Sequence, residues 1–213
     1  MSRTSDGAAS LGPGVQMSAG NPAGNPAAAE DPAAQAAPLC AFTVGHSRRT
    51  TAELIALLEE RGVDLVIDVR AIPYSRTNPQ FNVEVLPKSL AQAAIGYRHL
   101  PELGGRRRRA RNAPPSANTL WRNDSFRNYA DYAGTDAFKS GFTELLHLTR
   151  RHRGAVMCSE ALWWRCHRRI IADYLLTEGT PVLHIMGPGK IQSAFLTPGA
   201  SRAAEGTLVY PAA

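Results

Sequence analysis

Residues 63–69 read Val-Asp-Leu-Val-Ile-Asp-Val. Apolar, largely β-branched residues run almost unbroken, as in a strand buried on both faces of a parallel sheet. Upstream, Ala41-Phe42-Thr43-Val44 forms a second short strand closed by Gly45. Between the two, Thr50 offers a helix N-cap and Glu53 stands where a capping box needs it. Leu54, Ile55, Leu57 and Leu58 give that helix one apolar side, and Gly62 stops it. Strand, helix and strand in this order are the parts of a right-handed βαβ unit.

The alternation continues downstream. A helix is expected over 83–94 before Gly96, then a short strand over 97–100. Residues 104–125 are rich in Arg, Pro, Asn and Ser and read as a long exposed loop. Phe138, Phe142, Leu145 and Leu146 mark a further helix, and residues 155–158 a further strand. A helix from about Trp164 ends before Gly179, and 181–185 is the last clear strand. After Gly187 the pattern is weak. The expectation is a single three-layer α/β domain over 39–213, with a mostly parallel sheet flanked by helices. Residues 1–38 are Ala, Gly, Pro, Ser and Asn with almost no large apolar side chain, and are expected to be a disordered tail.

The 213-residue chain is 44% hydrophobic and 20% charged, enough for one domain with a real core. No apolar run approaches the ~18 residues that would cross a membrane, and the N-terminus lacks a signal peptide's basic start. The expected location is cytoplasmic. Three cysteines, Cys40, Cys158 and Cys166, are too few and too odd in number for a disulfide framework. The net charge of +6 permits a nucleotide or nucleic acid as partner. Five arginines between Arg106 and Arg111 contribute locally, most simply as a solvated loop.

Open α/β sheets bind their ligands outside the carboxyl ends of the strands. Those ends carry Gly45-His46-Ser47, then Asp68 and Arg70, then Cys158-Ser159-Glu160, with Cys166-His167-Arg168-Arg169 opening the helix after the last of these. Each has an ordinary structural counterpart. His46 could close a turn, Asp68 and Arg70 could form an ion pair, and Cys158 could fill the core. Trp163 and Trp164 could stack a base or cover the core. Cys166, read in a first helical turn beside His167 and Arg168, has the surroundings of an activated thiol; the same turn could instead hold an anion. Zinc ligands are present in Cys158, Cys166, His167 and His46, but without paired C-x-x-C spacing, so no metal is expected. Walker, G-x-G-x-x-G and G-x-S-x-G motifs are missing, and no cofactor is expected.

The succession Thr43-Val44-Gly45-His46-Ser47, Asp68-Val69-Arg70 with Pro73, Ser75, Arg76 and Phe81, then Leu103-Gly104-Gly105, then Cys158-Ser159-Glu160 with Cys166-His167-Arg168 resembles the domain of unknown function 488 family. The likeness spans about residues 42–185. It differs at Ser159, where the family usually has Ala. The resemblance implies a compact α/β domain with reactive residues at strand ends, and no established reaction. One reading is an enzyme, with Cys166 or Cys158 as nucleophile and Glu160, His167, Asp68 or His46 handling protons. Arg70, Ser75, Arg76 and Arg168 would hold a phosphate-bearing substrate. The alternatives are a non-catalytic nucleotide or nucleic-acid binding module, whose affinity would fall steeply with salt, and a purely structural polar network.

Overall fold

A computed structural model describes residues 40–109, 111–203 and 205–212; the tail expected over 1–38 lies outside them. Five parallel strands and one antiparallel strand form the sheet. The parallel ones are β1 (Ala41–Gly45), β2 (Leu65–Asp68), β3 (Gly96–His99), β4 (Gly154–Cys158) and β5 (Val182–Gly187). β6 (Lys190–Ser193) turns back along β5, and the spatial order is β3-β2-β4-β1-β5-β6. β7 (Ser201–Arg202) and β8 (Leu208–Val209) make a separate ribbon.

Alternate side chains of each strand feed opposite layers. Phe42, Val44, Val66, Ala155 and Met157 pack on one face with Leu54, Leu57 and Leu58 of α1 (Thr51–Glu59) and Leu86 and Leu90 of α2 (Leu86–Gln92). Ile67, Val69, Val156 and Cys158 face the other way. They meet α3 (Asp124–Tyr132), α4 (Asp136–Arg151) and α5 (Arg168–Thr177) through Tyr129, Phe138, Phe142, Leu145, Ile170 and Ile171. Crossovers towards β3 use the first layer and crossovers towards β5 use the second, so every parallel connection has the same hand. This is the expected three-layer α/β domain.

The Thr50–Glu53 capping box is formed as anticipated, with both reciprocal hydrogen bonds present. Other expectations need correction. The helix expected from residue 83 starts at Leu86, because Pro79–Phe81 first makes a 3₁₀ turn. α3 was not anticipated; Asn123 caps it, and Tyr129 and Ala130 bury its inner side. The helix expected from Trp164 begins at Arg168. Trp163–Arg165 form a 3₁₀ turn, and Cys166 is extended with φ −127° and ψ 148°, so it precedes the helix rather than opening it. The weakly patterned C-terminal stretch is tied to α5 by buried Asp173, which accepts hydrogen bonds from the Thr197 amide at 2.9 Å and the Tyr210 hydroxyl at 3.0 Å. Among the described residues no helix is long and apolar enough to cross a membrane.

Candidate active site

The strand order puts β4 between β2 and β1, so the carboxyl ends of these three strands lie side by side. A cleft of about 550 Å³ opens there. His46, Ser47, Arg70, Ser75, Cys158, Ser159, Glu160, Cys166 and His167 line it, as do three exposed arginines, Arg48, Arg106 and Arg165.

Its first component is an ion pair. Asp68 is fully buried and Arg70 nearly so. Arg70 Nε donates to both Asp68 carboxylate oxygens at 2.9 and 3.0 Å, and Nη2 adds a third bond. The Arg70 amide donates to Asp68 Oδ1 at 3.0 Å, and the Tyr97 hydroxyl to Oδ2 at 2.6 Å. Arg70 also donates to the Phe81 carbonyl at 2.8 Å. A buried pair is tolerated when its lone pairs and protons are satisfied in this way.

His46 completes this side. Its Nδ1–H donates to the Ser47 carbonyl at 2.9 Å, which leaves Nε2 as an acceptor 3.3 Å from Arg70 Nη1. The ring stacks on Phe81 at 4.1 Å. Burial first, and then the Arg70 charge, push the His46 pKa down to about 4. His184 is likewise held down to about 3 by burial and Arg168; its Nδ1 pairs with Thr43 Oγ1 at 2.7 Å, and Trp163 stacks on it.

A pH dependence of stability follows. Both histidines are neutral when folded and protonate near pH 6.5 when unfolded. The folded pKa values are depressed, so their contribution is present above pH 6.5 and is lost as pH falls through about 4 and 3. Between pH 7 and 5 each histidine is expected to remove about 2 kcal/mol of unfolding free energy. Guanidinium unfolding at the two pH values measures this, and equal stabilities would contradict it.

The second component is a cluster of sulfur and imidazole. His167 Nε2–H donates to the Val69 carbonyl at 3.0 Å, so its Nδ1 lone pair faces two thiols, Cys166 Sγ at 3.5 Å and Cys158 Sγ at 3.9 Å. The backbone amide and Nε of Arg168 donate to Cys166 Sγ at 3.5 and 3.4 Å. Burial alone would raise the Cys166 pKa, but hydrogen bonding from Cys158 and the Arg168 charge outweigh it and bring it down to about 6. Cys158, as donor to that sulfur and itself buried, is pushed up to about 12. Within the pair, the Arg168 donors favour the thiolate on Cys166 over Cys158. Both cysteines are reduced.

Close backbone approach holds the two components together. A β-carbon on Gly45 would lie 1.9 Å from the Glu160 carbonyl oxygen, and one on Gly104 2.6 Å from Ala71 Cα. Ser47 takes φ 52° at the turn out of β1.

The candidate residues thus divide. His46, Arg70, Ser75, Cys158, Glu160, Cys166 and His167 reach the cleft, whereas Asp68 lies behind Arg70. Arg76 is exposed and outside the lining. Arg168 is buried, and its side-chain donors go to Cys166 Sγ, Thr43 Oγ1 and the carbonyls of Glu160 and Ala161. Several participants were not singled out from the sequence, namely Tyr97, His99, Tyr129, Arg48 and Arg165, while Arg106 belongs to the arginine run read there as a solvated loop. Tyr97 and His99 stand two apart on β3, and His99 is in register with Asp68. His99 Nε2 bonds the Arg70 carbonyl at 2.8 Å. Tyr129 packs its ring 5.0 Å from His167. The run from Arg106 to Arg111 includes Ala110, outside the described residues. Within it Arg107 is anchored, 3.8 Å over the Tyr132 ring and bonded to the Gly104 carbonyl.

Fold and site together define an α/β domain with a cysteine- and arginine-lined cleft at the carboxyl ends of β1, β2 and β4. The chain belongs to the family described as domain of unknown function DUF488, whose model matches residues 50–175. That span holds every signature residue except those at the end of β1. No curated protein and no solved structure matches the chain.

Proposed function

We propose that the cleft is the active site of an enzyme acting on a phosphate-bearing substrate, a nucleotide or a nucleic-acid phosphate, with Cys166 as nucleophile. The observation that carries this reading is the setting of Cys166 Sγ at the cleft wall, where it accepts two N–H donors from Arg168. Donors of this kind favour the thiolate, the reactive form of cysteine. Arg48, Arg106 and Arg165 make no side-chain hydrogen bonds among the described residues, and they supply the forked donors that suit phosphate oxygens. Arg70 and Arg168 act through their protein contacts, as positioning residues. Glu160 and the Nδ1 atom of His167 stand at the same wall to move protons.

Iodoacetamide labelling of the reduced chain, mapped peptide by peptide, tests the nucleophile. Cys166 should react about tenfold faster than Cys158 or Cys40. Cys166→Ser should abolish turnover in any substrate screen while leaving the circular dichroism unchanged. An ordinary or inert Cys166, or full turnover in the variant, would remove the covalent reading. The cleft would then stand as a non-catalytic binding surface, and titration of nucleotides at rising salt would be the measurement to make.

A further inference from the structure

Chain spacing hides a metal-ligand set that the fold assembles. Cys158 closes β4, Cys166 lies beyond the Trp163–Arg165 turn, and His167 caps α5. Their Sγ, Sγ and Nδ1 atoms lie within 4.8 Å of one another. A tetrahedral zinc ion with Zn–S of about 2.3 Å and Zn–N of about 2.0–2.1 Å holds sulfur and nitrogen about 3.6 Å apart. The two sulfur–nitrogen separations here are 3.5 and 3.9 Å.

The surroundings meet the same requirement. Metal-bound histidines usually donate their other N–H to a carbonyl or carboxylate, which fixes the tautomer. His167 does so, through Nε2 to the Val69 carbonyl. The arginine N–H groups on Cys166 Sγ are outer contacts of the kind that orient a bound thiolate. Two thiolates neutralise one divalent charge, so the occupied cluster carries no net charge. All three residues line the cleft, which leaves a fourth position facing it.

We propose that Cys158, Cys166 and His167 form a three-ligand site for one soft divalent ion of the zinc type, open to the cleft, and that an ion bound there masks the Cys166 sulfur. On binding, the ion forms two metal–sulfur bonds and one metal–nitrogen bond, and the Cys158 proton, with any proton still on Cys166, passes to solvent. The masking clause rests on the reading of Cys166 as nucleophile. The ligand set does not.

The test titrates cobalt(II) into the reduced, metal-free full chain. One equivalent should give thiolate-to-cobalt charge transfer in the near ultraviolet and the intense visible bands of a tetrahedral site, and zinc should displace it. Cys158→Ser and His167→Ala should each weaken binding at least about tenfold, and Cys40→Ser should leave it intact. A chain that takes up no cobalt, or a spectrum that survives Cys158→Ser unchanged, would overturn the site. Iodoacetamide reads the masking separately. Zinc should protect Cys166, and a chelator should restore its labelling. If Cys166 is inert even in the metal-free chain while the cobalt spectrum forms, the ligand set stands and both the masking and the nucleophile fall.

Discussion

Asp68→Ala is expected to lower the unfolding free energy by about 3–5 kcal/mol, the usual cost of leaving a buried charge without its partner. Asp68 receives hydrogen bonds from Arg70 Nε and Nη2, the Arg70 amide and the Tyr97 hydroxyl, and it has no contact with solvent. Its removal strands the Arg70 guanidinium with only the Phe81 carbonyl and the His46 ring nitrogen. The Asp68→Leu/Arg70→Met double variant separates structure from function. Without a charge left behind, its stability should return to within about 1–2 kcal/mol of the parent. Any activity should be lost in both variants, because the cleft loses Arg70 as a positioning residue, removed in one and stripped of its carboxylate anchor in the other. Urea unfolding of the two variants measures the difference. A double variant as unstable as Asp68→Ala would mean that the pair holds the cleft by more than charge.

Gly45→Ala should be nearly as damaging, from a single methyl group. The obstruction is the Glu160 carbonyl at 1.9 Å, with its carbon at 2.7 Å and Ala161 Cα at 2.9 Å, all backbone. No side-chain rotation relieves it, so the end of β1 and the segment after β4 must move apart. Overpacking of this kind costs about 3 kcal/mol or somewhat more. That movement would also break the His46 and Ser47 amide bonds to the Cys158 and Ser159 carbonyls. A thermal midpoint within a degree or two of the parent would show that this approach is looser than described.

The layers of the fold were legible because β2 and β4 are short and nearly all apolar, and because α1 carries its cap and stop in its own sequence. Strand ends then locate a cleft by a general rule. Less legible were features set by tertiary contact. α3 is nine residues long and lies among Arg, Asn and Ser, and its buried side rests on Tyr129 and Ala130, too few apolar residues to stand out from the loop composition around it. The start of α5 was misplaced because Trp163 and Trp164 fit a helix as readily as a turn. What decides is Cys166, whose extended backbone precedes a helix that His167 caps. Arginine roles were the least readable. Buried Arg168 spends its donors on sulfur and carbonyls, while unremarkable Arg48 and Arg165 face the cleft. The residue type is the same in each case, and only the fold separates them.

The position of β4 also bears on how the molecule assembles. β1 does not pair with β2 in the finished sheet; each pairs with β4, Phe42 and Val66 both standing opposite Ala155. As the chain leaves the ribosome, β2 and β3 can pair early, but β1 must wait as an unpaired strand until residue 158 has been made. Contacts this distant in sequence slow folding and prolong the exposure of apolar edges. The strand that joins β1 to β2 is the one that delivers Cys158, so the cysteine–histidine cluster cannot assemble until β4 and the turn after it have been made.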